Sequence, residues 1–384
     1  MVKVVVLGAG IGGLVVAKKI RQKLPAGNQV ILIEKRLRQY FQPSLYWLMI
    51  GERKERDIYR NLAGVFPPGL EFIHDEALEI KPVTKKIILK NREPITYDIL
   101  VVATGTEADP AVFPDLTGVG HNLHTLEGIK GLCAGLNIFT GGEIAIVKTS
   151  LPDLCPTALY EAAILLNSLL IKKGLKGQYQ LTIYTPLERP LIEVSNDLNK
   201  CISKELDRHQ IRVKTASQFE SIDPAAQKLK FTGFTAPYDL LLYAPVYKGQ
   251  TVIRNSELGD ESGWMPVDPQ YLYAANDLFA MGDSTIIKTP SGKYLPMMGA
   301  VTTLQKNIII SNVLALATGS LPDKKYKGYA SCFFDVGAGQ VKPAFSNFYH
   351  QKDPAYYFLP ASRWWRIARR LIEYDWLRQG KPIK

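Results

Sequence analysis

The chain has 384 residues, 46% of them hydrophobic and 22% charged, which is enough for two or three folded domains with a sizeable core. Its four cysteines are too few and too scattered for a disulfide framework, and no C-x-x-C pair points to a zinc or other metal site. The longest apolar runs fall short of the roughly 18 residues of a membrane-spanning helix. The net charge of +11 suits an anionic partner, whether a membrane, a nucleic acid or an acidic protein.

A glycine-rich turn dominates the start of the chain. Residues 2–7 form an apolar run rich in β-branched side chains, which predicts a buried parallel strand. Gly8, Gly10 and Gly13 follow in the pattern G-x-G-x-x-G, and a predicted helix and a second strand then lead to Glu34. We expect the glycines to allow a tight turn, admit a pyrophosphate at the helix N-terminus and let helix and strand pack closely. With Glu34 placed to bind a ribose, this pattern predicts a dinucleotide site without saying which dinucleotide binds.

The rest of the chain repeats an α/β plan. Two further predicted strands end in Thr104-Gly105 and in Gly282-Asp283, where their turns would lie beside the same cofactor. A second α/β pattern begins near residue 143, and a strand over 238–245 is expected to return the chain to the first domain. The fold class is therefore α/β, with two Rossmann-like dinucleotide-binding domains and a C-terminal aromatic segment ending in an amphipathic helix. The predicted domains are residues 1–110 with 240–320, residues 111–239, and residues 321–384.

The second α/β unit lacks the glycine-rich turn that a nicotinamide nucleotide needs. Its first strand leads into residues 148–156, which contain no glycine, and Pro152 and Pro156 remove backbone donors. The next strand ends in Tyr184-Thr185-Pro186 rather than in an acid. We therefore predict that this unit does not bind a nicotinamide, and that the dinucleotide of the first domain takes electrons from another donor.

A cysteine stands where the second glycine-rich turn is missing. Cys155 directly precedes a predicted helix that opens with Pro156, a residue suited to a first helical turn. A thiolate at a helix N-terminus is stabilised by the helix dipole, and Glu161 could move a proton nearby. The alternative for Cys155 is a small buried hydrophobic side chain.

These residues resemble a known family. The segment Cys155-Pro-Thr-Ala-Leu-Tyr-Glu161 is similar to the cysteine–proline motif of sulfide:quinone oxidoreductases and of the flavoprotein subunit of flavocytochrome c sulfide dehydrogenase. Cys332 resembles that family's second redox cysteine. The resemblance covers most of the chain and implies that hydrosulfide attacks a disulfide or sulfur-bridged pair of Cys155 and Cys332, after which a freed thiolate reduces FAD. His124 could serve as an acid or base, with a structural histidine as the alternative.

The resemblance also implies which residues hold the flavin. The positions expected at FAD are Gly8, Gly10, Gly13, Glu34, Lys35, Pro43, Ser44, Ala77, Thr104, Gly105, Asp283, Met298 and Gly299. One departure concerns a third cysteine that many sulfide:quinone oxidoreductases carry between the two domains, because the matching stretch, residues 120–127, has none. We expect Cys133 to belong to the core and Cys201 to be an ordinary helix residue.

The last predicted helix, over residues 362–378, has two unlike sides. Its tryptophans and aliphatic residues occupy one broad arc, and the other carries Arg366, Arg369, Arg370 and Glu373. Basic residues opposite tryptophans predict a helix lying in a membrane interface, with a helix docked on its own domain as the alternative.

An aromatic segment separates Cys332 from that helix and is expected to be irregular from about Tyr329 onward. Phe345, Phe348 and Tyr357 lie in it. Such rings could sandwich a quinone beside the flavin, and they could equally be core.

The resulting prediction is FAD-dependent oxidation of sulfide to polysulfide or sulfur, with electrons passed to membrane quinone. Because the chain begins in a predicted core strand, we expect no signal peptide and a peripheral place on the cytoplasmic face of a membrane. A homo-oligomer is possible, and no motif points to nucleic acid. Three alternatives stay open: a sulfide dehydrogenase that reduces an exported cytochrome c, a type-II NADH:quinone dehydrogenase, and a flavin-bound scaffold without chemistry.

Overall fold

The glycine-rich turn lies at the carboxyl edge of a mostly parallel sheet in the computed structural model, which describes residues 1–152, 154–275 and 277–379. Val4 and Val6 pack into one apolar cluster and Val5 and Leu7 into another, so both faces of the sheet are buried. This explains why its strands are nearly continuous apolar runs. The six strands, in spatial order, are Tyr273–Ala275, Leu278–Ala280, Ile99–Val102, Lys3–Leu7, Gln29–Glu34 and Leu70–His74, and only the first pairs antiparallel with its neighbour.

Short elements surround this first sheet. Its helices are Gly13–Lys23, Leu45–Met49, Thr251–Asn255 and Gly299–Ala317, with 3-10 turns at Gln42–Ser44, Glu55–Asp57 and Gly282–Ser284. Two small antiparallel sheets pair Arg38–Tyr40 with Tyr59–Asn61, and Ala77–Lys81 with Lys86–Leu89 and Ile95–Thr96. Two-stranded ribbons join Thr106–Ala108 to Tyr247–Gly249, and Met265–Pro266 to Thr285–Ile286.

The second unit is built on a parallel sheet whose strands are, in spatial order, His121–Asn122, Leu240–Ala244, Gly142–Lys148, Tyr179–Tyr184 and Arg212–Lys214. Its helices are Pro114–Val119, Leu126–Ile138, Ala158–Lys172 and Asn196–Arg208, and a small antiparallel sheet joins Phe219–Asp223, Lys228–Phe231 and Phe234–Pro237.

One strand was assigned to the wrong unit by its sequence. Leu240–Ala244 pairs with Gly142–Lys148 and does not return the chain to the first domain. The chain returns only afterwards, through the ribbon strand Tyr247–Gly249. An apolar run of this kind fits the centre of either sheet, so periodicity could not decide between them. The domain boundary predicted at residue 240 is therefore wrong, and the other boundaries stay predictions.

The segment expected to be irregular from Tyr329 onward is a three-stranded antiparallel sheet, here named the C-terminal sheet. Its strands are Tyr329–Asp335, Val341–Asn347 and Ala355–Phe358. Its aromatic residues had obscured an alternation of inward and outward side chains. The C-terminal helix, Arg363–Arg378, follows it as predicted.

Among the described residues, one helix is long and apolar enough to cross a membrane by length and composition, which the apolar runs had not suggested. It is Gly299–Ala317, which has 19 residues, and 39% of its most apolar stretch is buried. It packs beside the helix Gly13–Lys23. Gln305 accepts a hydrogen bond from the Gly282 N–H (2.7 Å), and Asn312 donates to the carbonyl of Lys324 (2.9 Å). These buried polar contacts are those of a core helix.

Candidate active site

The glycine-rich turn forms an open cradle that side chains would fill. Gly8 has a φ of +98°, and a Cβ there would lie 2.4 Å from the carbonyl oxygen of Ala103. A Cβ on Gly13 would lie 1.9 Å from the carbonyl oxygen of Gly8. Around Gly10, by contrast, a Cβ would meet nothing within 4 Å, so the backbone there can be approached closely. A pyrophosphate at a helix N-terminus needs this kind of space.

Two charged residues flank the cradle. Glu34 accepts hydrogen bonds from the N–H groups of Ala9 (2.7 Å) and Arg36 (2.9 Å), which holds its carboxylate beside the turn. The buried Arg60 donates to the carbonyl oxygens of Ala9 and Gly10, at 3.3 Å each. Burial lowers the pKa of Arg60 to about 9, and Glu34 opposes that shift. The predicted ribose acid is therefore next to the turn, together with a cation that the sequence pattern did not indicate.

The neighbouring strand ends supply polar groups on the other side of the cradle. The N–H of Gly105 donates to Ser284 Oγ (2.7 Å), and the Thr104 hydroxyl lies 3.4 Å from the same oxygen. Among the described residues, Asp283 Oδ1 is buried without a hydrogen-bond partner. Burial raises the pKa of Asp283 to about 6. An acceptor left in this state fits a cofactor with hydroxyl groups, as FAD has in its ribityl chain.

The edge of the cradle is tied directly to the second unit. Gly299 begins the long helix, and a Cβ there would lie 2.9 Å from Ile11 of the glycine-rich turn. Met298 precedes it and is buried. The carbonyl of Met297 accepts a hydrogen bond from the Cys155 N–H (2.7 Å). A single hydrogen bond thus places the first candidate redox cysteine beside the segment predicted to hold the flavin.

The remaining predicted FAD positions have other partners as well. Lys35 forms a partly exposed ion pair with Glu76 (3.3 Å), and Ala77 begins the strand after it. The Pro43 carbonyl and the Ser44 hydroxyl are hydrogen-bonded by side chains of the C-terminal helix. For these four positions the structure shows places and partners within the protein itself. Their contact with FAD stays a prediction.

Cys155 and Cys332 come from distant parts of the chain and lie within electrostatic range of each other. Cys155 has a φ of +50°, a conformation that is costly for a residue with a Cβ, directly before the helix Ala158–Lys172. Cys332 lies on the first strand of the C-terminal sheet. The pKa of the Cys332 thiol is raised to about 12, mainly by burial and in smaller part by the nearby Cys155 and Glu161. Neither cysteine is joined in a disulfide in the part of the chain that the structure describes.

Glu161 lies beside this pair as a buried carboxyl with a cationic partner. Its Oε1 is 2.6 Å from Nη1 of Arg369, which comes from the C-terminal helix. Burial raises the pKa of Glu161 to about 7, Asp335 adds to that shift, and Arg369 opposes it. A group that titrates near neutral pH beside two thiols can accept and return a proton.

The other polar and thiol candidates are spread more widely. His124 is buried, and its Nδ1 is hydrogen-bonded to the Tyr247 hydroxyl (2.7 Å). Tyr247 belongs to the same small apolar cluster as Met297, whose carbonyl is bonded by Cys155. His124 is therefore connected to the cysteine site through Tyr247 and Met297. Cys133 packs against the core beside the carbonyls of Leu48 and Met49, and burial raises its pKa.

The three aromatic residues predicted to bind quinone do not share a surface. Phe348 is completely buried in the core. Phe345 and Tyr357 are exposed cross-strand neighbours on the outer face of the C-terminal sheet, whereas Cys332 faces the opposite side. Phe348 therefore cannot contact a quinone without rearrangement. The inner face, where Cys332 lies, instead carries Tyr356 and Phe358, whose rings stack at 5.8 Å.

The carboxyl edge of the second sheet is closed at the position of the missing fingerprint. Lys148, the last residue of the strand Gly142–Lys148, is fully buried and lies 2.7 Å from Glu193. Thr149 is buried beside it, and its hydroxyl donates to the carbonyl of Ala244 (2.7 Å). Side chains thus occupy the edge at which a pyrophosphate would need backbone donors and space.

The C-terminal helix turns part of its charged arc, Arg369 and Glu373, toward the protein and leaves Arg370 exposed. Arg369, Glu373 and Trp376 are buried, and Glu373 lies 2.6 Å from Nη2 of Arg53. The outward side exposes apolar residues, with 78% of Trp364 and 62% of Leu371 accessible, and the others are Ile367, Ile372 and Tyr374. The helix is therefore docked on its own domain, as the alternative predicted. It also presents the exposed apolar stripe that a helix in a membrane interface requires.

The sequence did not indicate several residues that organise this region. Arg60 and Asp335 lie in segments to which the sequence assigned no role, and Arg369 was predicted only as part of the basic side of a membrane-interface helix. An arginine on an amphipathic helix is ordinarily at the surface, and only the docked position of this helix reverses that.

The family model of the pyridine nucleotide-disulphide oxidoreductases matches residues 2–306. The mitochondrial sulfide:quinone oxidoreductase of Mus musculus is 24% identical over 359 residues, covering 88% of this chain and 76% of the mouse protein. That of Dictyostelium discoideum is 25% identical over 351 residues, covering 86% and 74%. The solved sulfide:quinone oxidoreductase of Aquifex aeolicus superposes with a TM-score of 0.86 at 21% identity, covering 100% of this chain and 92% of that one. The predicted resemblance and the predicted α/β fold class are confirmed.

Proposed function

We propose that this chain, which belongs to the pyridine nucleotide-disulphide oxidoreductase family, oxidises sulfide with FAD and passes the electrons to a quinone. The observation that carries the proposal is the position of Cys155, which hydrogen-bonds Met297 at the edge of the FAD cradle within electrostatic range of Cys332. Two thiols beside a flavin can hold a sulfur atom covalently while electrons leave it.

The reaction needs a sulfur bridge between the two cysteines. Hydrosulfide attacks one sulfur of the bridge, which leaves a persulfide on one cysteine and a thiolate on the other. The bridge then closes again with one sulfur atom more, which releases two electrons and a proton. Bound FAD supplies the two-electron acceptor and relay to the quinone, so each turnover converts hydrogen sulfide and quinone into bridge-bound sulfur and quinol. Further sulfide releases the accumulated sulfur as polysulfide.

The chain's own groups account for the proton and the geometry. Glu161, with a pKa near 7, is the acceptor for the proton released when the bridge closes. His124 is a second candidate acid or base, held by Tyr247. For the quinone we retain the exposed pair Phe345 and Tyr357 and drop the buried Phe348.

The first experiment is anaerobic mixing of the FAD-loaded protein with sulfide, followed by absorbance. Bleaching of the flavin, and its recovery on adding decylubiquinone, is the expected result. Cytochrome c replaces the quinone in a parallel measurement, and NADH replaces sulfide in a third. Bleaching by NADH but not by sulfide would overturn the proposal in favour of a type-II NADH dehydrogenase. Recovery with cytochrome c alone would support the sulfide dehydrogenase alternative.

The closed edge of the second sheet argues against the NADH alternative. Lys148 and Glu193 occupy it, and prolines at positions 152 and 156 interrupt the donors that a nicotinamide nucleotide would require. We therefore propose that sulfide reaches the flavin through the cysteines and that no nicotinamide binds.

We further propose that the outward side of the C-terminal helix lies in a membrane surface, where a quinone would be found. Its exposed tryptophan and aliphatic residues form an unusually apolar stripe for a solvated helix. Arg363, Arg366 and Arg370 line an adjoining cavity of about 370 Å³, and such side chains attract anionic headgroups. A cytoplasmic side and a homo-oligomer stay predictions.

Vesicle sedimentation tests the membrane contact. We expect the double variant Trp364→Ser/Leu371→Ser to lose most binding to vesicles that contain phosphatidylglycerol. The matched control, Val83→Ser/Ile138→Ser, removes two exposed apolar residues elsewhere and should bind as the unaltered protein does. Equal binding by both double variants would contradict the proposed membrane surface.

A further inference from the structure

A buried cation from the C-terminal helix lies at the junction of the parts that carry the chemistry. Nη1 of Arg369 lies 2.6 Å from Glu161 and 3.1 Å from Asp335. Its Nη2 donates to the carbonyl of Pro43 at 3.2 Å. These three partners belong to the helix that follows Cys155, the strand that carries Cys332 and the 3-10 turn Gln42–Ser44.

The surroundings of Arg369 hold it in one orientation. Its guanidinium carbon lies 4.9 Å from the Trp47 ring centroid, and the Trp47 indole N–H donates to Asp335 (2.8 Å). Arg369, Glu161, Asp335 and Trp47 each have at most 6% of their surface exposed. The guanidinium meets two carboxylates and a carbonyl from two nitrogen atoms in one rigid plane, a geometry that the compact ammonium group of lysine does not reproduce.

Charge in this cluster does not balance. One buried cation faces two buried carboxyls, so both carboxyls can be ionised only at a cost. Among the described residues the titratable groups around Glu161 are Arg369 from the C-terminal helix, Asp335 and Cys332 from the C-terminal sheet, and Cys155 before its own helix. Arg369 favours the charged forms of Glu161 and Cys332, which is the direction that proton acceptance and thiolate formation require.

We propose that Arg369 is a positioning residue for sulfide oxidation, which holds Glu161 beside the cysteine pair from a helix that also carries the apolar outer stripe. The inference rests on the proposed function and extends it. It makes the C-terminal helix a part of the reaction site as well as a membrane contact.

The test measures the single-turnover rate of flavin bleaching by sulfide across about pH 6 to 9. In the unaltered protein the rate should rise through the pKa of Glu161, because the ionised carboxylate accepts the proton. In Arg369→Met that rise should move to higher pH by about one unit, a loss of about fivefold at pH 7 that approaches about tenfold toward pH 6. Arg369→Lys keeps the positive charge without the planar guanidinium and should recover part of the lost bleaching rate.

Controls separate positioning from folding. Arg378→Met removes an exposed arginine from the same helix and should leave the pH profile unchanged. Retained FAD absorbance and an unchanged melting temperature would show that a variant is folded. In a Glu161→Gln background, Arg369→Met should cause little further change.

The proposed function and the positioning role of Arg369 fail on different outcomes. If sulfide does not bleach the unaltered protein, the proposed function fails. If sulfide bleaches it and folded Arg369→Met has an unchanged pH profile, the positioning role of Arg369 is wrong. If Arg369→Met does not fold, Arg369→Lys decides in its place, and an unaltered profile and rate in that variant would overturn the role.

Discussion

The carboxyl edges of the two parallel sheets differ, although both sheets are built on the same α/β plan. In the first, glycines leave a cradle around Gly10, and Asp283 has a buried oxygen without a partner among the described residues. In the second, the Lys148–Glu193 pair fills the edge, and Cys155 stands before the following helix. A shared topology therefore sets where a site can form, while the residues at the strand ends decide whether it binds a nucleotide or carries a thiol.

The largest effect is expected at the second edge. Cys155→Ser should slow flavin reduction by sulfide by about a thousandfold or more, because serine cannot form a sulfur bridge. Cys332→Ser should behave similarly, and both variants should retain FAD. Cys133→Ser is the matched control, since that thiol lies apart from the pair, beside the carbonyls of Leu48 and Met49. Stopped-flow absorbance measures the rates, and normal bleaching in Cys155→Ser would reduce the pair to a structural feature.

At the carboxyl edge of the first sheet, a substitution should weaken FAD binding itself, whereas the cysteine variants should retain FAD. Gly13→Ala would place a Cβ 1.9 Å from the carbonyl oxygen of Gly8, so the turn must shift. We expect at least about a hundredfold weaker FAD binding, equivalent to about 3 kcal/mol. The control is Gly118→Ala, at a glycine outside the cradle that has no positive φ and whose Cβ would meet no atom within 4 Å. Flavin content after purification and fluorescence titration measure the effect, and equal FAD affinity in both variants would contradict the cradle.

A smaller effect tests whether the closed second edge is structural. Lys148→Met removes a fully buried ammonium and leaves Glu193, which is 21% exposed in its side chain, without its cation. We expect a loss of about 2 kcal/mol in the free energy of unfolding in urea, because a partly buried carboxylate then lacks compensation. NADH should still fail to bleach the flavin. If this variant acquired NADH reactivity, the ion pair alone would be what excludes a nicotinamide.

The smallest effect concerns the acid that ends the second strand. Glu34→Gln keeps the shape of the side chain but weakens its hydrogen bonds to the N–H groups of Ala9 and Arg36 and to a ribose. A loss of about 1 kcal/mol, or about fivefold in the dissociation constant of FAD, is expected. Titration of the FAD-depleted protein measures it. An effect as large as that of Gly13→Ala would mean that Glu34 shapes the turn itself.

Much of the flavin site could be predicted because it depends on local backbone geometry. Gly8 and Gly13 are needed where a Cβ would strike a neighbouring carbonyl, and such requirements appear directly as glycines at fixed spacing. The sequence also showed that no glycine-rich turn follows residue 147, from which we predicted that the second unit does not bind a nicotinamide. The sequence likewise indicated Cys155, since a cysteine before a helix that replaces a glycine-rich turn is an unusual local pattern.

The contacts between distant segments could not be read in this way. The alternation of the C-terminal sheet puts Phe345 and Tyr357 outside, and Phe348 is buried after the strand ends. The strand Leu240–Ala244 suits either sheet by composition and was placed in the wrong one. Both errors have one cause, because hydrophobic periodicity reports that a face is buried without reporting what buries it.

The sequence by itself therefore determined the α/β class, the glycine cradle, the missing second fingerprint and the cysteine that replaces it, since each is a short-range requirement of the backbone. Tertiary structure alone decided that Arg369 and Glu373 of the C-terminal helix face inward and that Arg369 lies 2.6 Å from Glu161. A buried charge is stable only where a distant segment supplies its partner, and that partner is fixed when the chain folds.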